Sequence, residues 1–322
     1  MRQIPLDAIE DAAKHVYRAA IRTPLIRLDL PLPSDGPEIY LKLECLQPIG
    51  SFKIRGAWNA IRKLAPDQIK DGVWTVSAGN AAQGVALAAR IAGVPCSVMV
   101  IETAPQAKFN AIETLGATIV KASYDECWRT VEAHASDRMR GYFIHPFDDD
   151  DFIAGNATAG LEILEDLPDV DAIVAAVGGG GLLGGVGSAI RARRPDVRIY
   201  AAEPDTAAPF DLSLARGEAS RFTAWQPSFV DGAGGKSVLT SMWPLLQSVV
   251  THGSIVVPLS DVASAMRKAA ERVHVIAEGA GGTAIAAALS GRAGTGKIVA
   301  VVSGGNIDLN RFAELVSTHA NV

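Results

Sequence analysis

Short apolar runs alternate along the chain with stretches in which apolar positions return every three or four residues. The first half carries strand-like runs at 39–43, 73–76, 97–101, 118–121 and 142–144. Helical patterns lie between them, from Ile54 through Ile61 and Leu64, then at 81–92, 105–115 and 124–138. Strict alternation of this kind predicts a parallel sheet flanked by helices. A helix is expected at about 6–20, and Thr23-Pro24-Leu25 reads as extended chain. A second alternation follows: a run at 172–177, a glycine loop with its helix, and a run at 198–202 that ends at Glu203. It continues with 255–257, helices at 261–275 and 282–289, and a last strand at 298–302. Residues 204–243 show no period and read as irregular, and no repeat of fixed length is present. His145-Pro146-Phe147, with the acidic run Asp148 to Asp151 reading as a solvated helix start, marks a crossing point. The expected layout is a small domain, 48–147, set in a large one built from 1–47 and 148–322.

Composition narrows the class. The 322 residues are 48% hydrophobic with 6% aromatics and 31 glycines, which suits a parallel α/β protein. A net charge of -5 supports neither a nucleic-acid nor a membrane-surface partner. Cys45, Cys96 and Cys127 are odd in number and lack CxxC spacing, as expected of reduced thiols in the cytoplasm. The N-terminal stretch carries Asp7, Glu10 and Asp11 and no apolar signal core. Residues 172–190 carry no charge and are long enough to span a bilayer, yet four central glycines mark a strand–loop–helix unit instead.

Candidate chemistry centres on Lys53, where a loop broken by Pro48 and Gly50 enters a helix. The positive end of a helix disfavours an ammonium, so this lysine is either a solvated side chain or an amine that works partly neutral, as a Schiff-base nucleophile. Gly178, Gly179, Gly180 and Gly181, followed by Leu182, stand between a buried strand and a helix, where amides converge on a phosphate. Gly179, Gly181 and Gly184 also fit GxGxxG, and Glu203 ends the next strand, so a dinucleotide fold competes on this segment alone. Ser77, Ala78, Gly79, Asn80 and Ala81 form a second strand-to-helix turn, suited to a carboxylate or to plain helix capping. Ser303-Gly304-Gly305-Asn306 follows the last strand, either as a ligand loop or as a simple turn. A lysine, a phosphate cradle, a carboxylate loop and a polar partner for a ring together suit pyridoxal phosphate.

Nearly the whole chain resembles the serine/threonine dehydratase family of pyridoxal-phosphate enzymes, which includes threonine deaminases and serine racemases. Gly50-Ser51-Phe52-Lys53-Ile54-Arg55-Gly56-Ala57, Ser77-Ala78-Gly79-Asn80, His145-Pro146-Phe147-Asp148, the four glycines, Glu278-Gly279-Ala280-Gly281 and Ser303-Gly304-Gly305-Asn306 occur in the family's order. That order removes the dinucleotide reading, which explains neither Lys53 nor the Ser303 loop. The resemblance implies a two-domain α/β, tryptophan-synthase-β-like fold of type II and pyridoxal 5'-phosphate as cofactor. It makes Lys53 the Schiff-base lysine, Phe52 the residue against the ring and Asn80 the partner of the ring hydroxyl. Gly178 to Leu182 would hold the phosphate, Ser303 would face the pyridine nitrogen, and Ser77 to Ala81 would hold the substrate carboxylate. The implied activity is β-elimination from a β-hydroxy amino acid, giving a 2-oxo acid and ammonia, in a homodimer.

Departures from the pattern bear on this reading. Ala81 stands where relatives often carry His, Ala78 where serine racemases place a second serine, and Trp128 where some racemase-like members have Arg. A divalent or monovalent cation would use Glu203 and the Ala207 carbonyl, but Pro209 occupies an expected acidic position, and a solvated loop acid is the rival reading of Glu203. No regulatory domain follows Val322, so allosteric control of the biosynthetic threonine-deaminase kind is not expected. Racemisation, β-replacement and a catalytically silent ligand-binding homologue are the alternatives. The cysteine-synthase patterns Thr-Gly-Ser-x-Lys-Asp-Arg and Ser-Gly-Asn-Thr-Gly are absent.

Overall fold

A computed structural model describes residues 2–30 and 36–317. Its ten strands form two sheets. The larger contains β1 (Leu25–Arg27), β2 (Glu38–Lys42), β7 (Ala172–Ala176), β8 (Arg198–Pro204), β9 (Ser254–Val257) and β10 (Lys297–Val301). The smaller contains β3 (Val73–Val76), β4 (Cys96–Ile101), β5 (Thr118–Ala122) and β6 (Tyr142–Phe143). Strand order is β1-β2-β10-β7-β8-β9 in one and β5-β4-β3-β6 in the other. Among the described strands only β1 pairs antiparallel, against β2; the remaining strand pairs are parallel.

Parallel strands covered by helices on both faces must be apolar throughout, and β7 is buried at every position. Its side chains divide by the period of two. Ile173 and Ala175 pack on one face with Ile199, Ala201, Val299 and Val301. Ala172, Val174 and Ala176 pack on the other with Tyr200, Ala202, Ile298 and Ala300.

The helix Lys53–Arg62 lies between the helices Asn80–Ala92 and Asp150–Asp166. Glycine permits that close approach. A Cβ on Gly56 would strike the Phe152 ring, and one on Gly155 would strike the Arg55 carbonyl. Beneath this helix lies a buried ionic group. Arg55 donates to both oxygens of Glu44 at 2.7 and 2.8 Å and to both of Glu162 at 2.7 and 2.9 Å. Lys42 Nζ lies 2.6 Å from Glu162 and donates to the Thr23 carbonyl at 2.7 Å. All four charged side chains are buried, two of each sign, so the charges compensate within the core.

Several elements differ from the sequence reading. The first helix is Leu6–His15, closed by a 3-10 turn at Val16–Arg18. The helix expected to reach 138 ends at Ala133, because His134 takes a left-handed conformation (φ 55°). Pro209–Arg216, inside the stretch expected to be irregular, is a helix with proline in its first turn, and so is Trp243–Val249, which starts at the last residue of that stretch. The acidic run does start a helix, Asp150–Asp166, and Asp149 caps it by accepting the Phe152 N–H at 2.7 Å. Not all of that run is solvated, since Asp148 pairs with Arg2 and accepts from Ser241. No helix among the described residues is long and apolar enough to cross a membrane.

Candidate active site

The carboxyl ends of β3, β7 and β10 release the loops that begin at Ser77, Gly178 and Ser303, and these loops face one cavity of about 510 Å³. Phe52, Lys53, every residue of Ser77 to Ala81, every residue of Gly178 to Leu182, and Ser303 line it. The structure thus gathers these sequence candidates at one place.

Lys53 opens its helix, and its Nζ donates to the Pro146 carbonyl. The chain before it is stapled to the Ser303 loop by Phe52 N–H to the Ser303 carbonyl, 3.0 Å, and Gly305 N–H to the Gly50 carbonyl, 2.9 Å. Burial pushes the Lys53 amine down to about 7, a shift that Glu278 opposes when it is ionised. A neutral amine is therefore accessible near neutral pH, which a solvated lysine does not offer.

Gly180 has φ +90° and caps the helix Gly181–Arg193, whose first-turn amides lack intrahelical partners. A Cβ on Gly178 would lie 2.7 Å from the Gly232 carbonyl, and one on Gly179 would strike the Phe147 ring. The loop is therefore pressed flat at a helix N-terminus, a seat for an anion. Ser303 lines the cavity, and its hydroxyl is buried there with no hydrogen-bond partner among the described residues. An orphaned hydroxyl, an amine held near neutrality and an amide cradle form a donor set that fits an aldehyde-bearing heteroaromatic phosphate.

Asn80 begins the helix Asn80–Ala92, and its side chain is fixed at both ends. Nδ2 donates to Glu278 Oε1 at 2.7 Å, and Oδ1 accepts from Asn306 Nδ2 at 2.7 Å. Glu278 is the residue that sequence reasoning left without a role. Burial pushes its carboxyl up to about 8, so it enters this network protonated at neutral pH. The signal available was a single acid opening a helix of small apolar residues, Gly279–Leu289.

A pH effect follows. Glu278 is raised in the folded state, so its contribution to stability is fully present below about 4.5 and is lost as pH rises towards about 8. Lys53 is lowered and acts with opposite sign above about 7, so the comparison requires a variant that changes Glu278 alone. Wild type should lose up to about 1.4 kcal/mol per pH unit relative to Glu278→Gln between pH 5 and 7. Urea unfolding of both proteins checks this, and parallel pH profiles would refute it.

Glu203 and Ala207 are not part of the cavity wall. Glu203 is wholly buried rather than solvated. Its carboxylate accepts the N–H groups of Phe210 and Asp211 at 2.8 Å each and the Ser254 hydroxyl at 2.6 Å. It caps the helix Pro209–Arg216, a use of its lone pairs that competes with a cation. One other trio, His134, His145 and Asp148, brings its ligand atoms within 4.8 Å of one another. His145 Nδ1 accepts the Asp148 N–H at 2.7 Å, which leaves the proton on Nε2, and Asp148 is held by Arg2 and Ser241. Two of the three candidate ligands, His145 Nδ1 and Asp148, are thus already engaged.

Residues 16–304 match the model of the pyridoxal-phosphate dependent enzymes. The chain belongs to this family. Its cofactor is pyridoxal phosphate, and its architecture is the type II fold. The chain is 38% identical to the L-threonine ammonia-lyase of Thermotoga maritima over 98% of its own length and 78% of that protein's. Threonine deaminase isoform 2 of Solanum lycopersicum superposes with a TM-score of 0.88 at 30% identity, covering 98% of this chain and 93% of that one. Maize serine racemase superposes with a TM-score of 0.86 at 33% identity, covering 98% and 97%.

Proposed function

We propose that this pyridoxal-phosphate enzyme is an ammonia-lyase that removes water from a β-hydroxy amino acid and releases a 2-oxo acid and ammonia. The observation that carries the reading is the pairing of Lys53, an amine held near neutrality, with Ser303, whose uncharged, unpartnered hydroxyl is buried at the wall of the same cavity. Bound pyridoxal phosphate supplies an electron sink for the pair left when the α-proton departs. Lys53 Nζ takes that proton, and its lowered basicity lets it act at neutral pH. Amides of Gly178 to Leu182 would hold the phosphate, Phe52 would pack against the ring, and Asn80 would bond the ring hydroxyl. Ser303 bonds the ring nitrogen without imposing a charge, which favours expulsion of the β-hydroxyl over reprotonation. Ser77 and the amides through Ala81 hold the substrate carboxylate.

The test is release of ammonia and 2-oxo acid from L-serine and L-threonine by cofactor-loaded protein. Absence of both products would end the reading. Serine racemase among the structural neighbours supports a second activity on the same site. Ala78, in the carboxylate loop, offers no hydroxyl for proton return from the opposite face. D-Serine should therefore form far more slowly than pyruvate, and chiral chromatography showing comparable rates would refute the argument from Ala78.

Ser303→Asp should place a carboxylate at the ring nitrogen and favour its protonated form. Elimination should slow about tenfold and absorbance should move to longer wavelength, since one pKa unit is worth about 1.4 kcal/mol. A folded, cofactor-loaded variant with unchanged rate and spectrum would remove Ser303 from the mechanism. We extend the reading to a homodimeric cytoplasmic enzyme. Three buried cysteines without a disulfide are in keeping with a reducing compartment. Light scattering checks the dimer.

A further inference from the structure

One wall of the cavity is aromatic. The helix Tyr124–Ala133 presents Tyr124, Cys127, Trp128 and Val131 to the cavity at i, i+3, i+4 and i+7, a single face. Phe147, whose ring packs on Gly179, lines the same cavity. Cys127 adds no charge, because burial pushes its thiol up to about 11.

The two outer rings are positioned rather than loose. Trp128 Nε1 donates to Glu132 at 2.8 Å, which sets the indole plane. Lys236 Nζ lies 4.6 Å from the Tyr124 ring centroid and 4.5 Å from that of Trp225, and Trp225 Nε1 donates to the Gly234 carbonyl at 2.8 Å. Tyr124 nevertheless remains 45% exposed, and Trp128 is half-buried. Large rings held in place at a cavity with their surface uncovered gain most from an apolar ligand.

Charge excludes the alternative. Among the described residues that line the cavity, the cations are Lys53 and Lys108. Lys108 is bonded to Asp231 at 2.8 Å, and Lys53 serves the reaction. A second substrate carboxylate would find no uncommitted cation on the described cavity wall, since Lys236 is turned onto the Tyr124 and Trp225 rings, and it would face the Asp231 carboxylate.

The geometry points to a β-hydroxy amino acid with an aryl β-substituent, of the 3-phenylserine type, as the preferred substrate, with Trp128 and Tyr124 as its specificity-determining residues. This inference rests on the ammonia-lyase reading for its chemistry. The α-proton and β-hydroxyl leave as water, and the released enamine takes up one water to give arylpyruvate and ammonia. The net loss is one ammonia.

The experiment has a kinetic and a binding arm, both on cofactor-loaded enzyme. In the first, kcat/KM for L-threo-3-phenylserine should exceed that for L-threonine at least tenfold. Trp128→Ala should lower the phenylserine-to-serine ratio of kcat/KM at least tenfold. Tyr124→Ala, at an exposed position, repeats the test should the first variant not fold. In the second arm, calorimetry should show L-phenylalanine, which lacks the hydroxyl, binding at least tenfold more tightly than L-alanine, an advantage lost in Trp128→Ala. Turnover of threonine in preference to phenylserine, with no binding advantage for L-phenylalanine, overturns the inference and leaves the ammonia-lyase reading intact. If none of the amino acids yields ammonia, the ammonia-lyase reading falls and the binding arm alone decides the ring preference.

Discussion

Lys53→Ala is expected to lose ammonia release by about 10³–10⁴-fold and to retain no cofactor that borohydride can fix. The size of the effect follows from two roles placed on one amine, covalent attachment and proton transfer, of which proton transfer alone contributes about 10²–10⁴. The fold should tolerate the change. Ile54, Ala57 and Ile61 hold the helix in its core, whereas Lys53 makes one hydrogen bond, to the Pro146 carbonyl. Lys53→Arg should fare no better, since a guanidinium stays charged where the chemistry needs a neutral amine. The wild-type protein should be yellow, and borohydride followed by peptide mapping should place the label on Lys53. A label on another lysine would sink the assignment.

The second large effect is on stability. Arg55→Leu should destabilise the protein by about 3–5 kcal/mol, because it strands the Glu44 and Glu162 carboxylates in the core with only Lys42 as a counter-charge. The penalty is desolvation of unpaired charge rather than the loss of Arg55 contacts. Converting Glu44 and Glu162 to Gln in the same chain should therefore recover part of it. Urea unfolding of the single and triple variants measures both numbers. A single variant within about 1 kcal/mol of wild type would mean that water reaches the site. Cofactor affinity should weaken in parallel, since Arg55 anchors the helix that begins with Lys53.

Much of the frame was legible in the sequence because parallel strands covered on both faces carry an unbroken apolar signal. The run 73–76 is β3 as read, and 172–177 differs from β7 by a single residue. Glycine clusters were legible for a different reason. A loop that must bring amides to a helix N-terminus, against Phe147 and Gly232, has no room for a Cβ, and few other needs place four glycines together. Lys53 and the Ser303 loop became informative through their position after a break or a strand end, which is local information.

What tertiary structure decided was the environment of charge. Nothing along the chain marks Arg55, Glu44, Glu162 and Lys42 as partners, and only packing of β2, the 3-10 turn that follows it and two helices reveals a closed, buried group. Glu203 read as a cation ligand or a solvated acid, whereas its oxygens cap a helix that the sequence did not announce. Glu278 meets Asn80 across a sequence separation of 198, and its raised pKa is a property of the cavity wall, not of its neighbours in the chain. Periodicity along the chain reports which face of an element is apolar. Protonation and the identity of a polar partner depend on distance and burial in space, so they are set only when the elements come together.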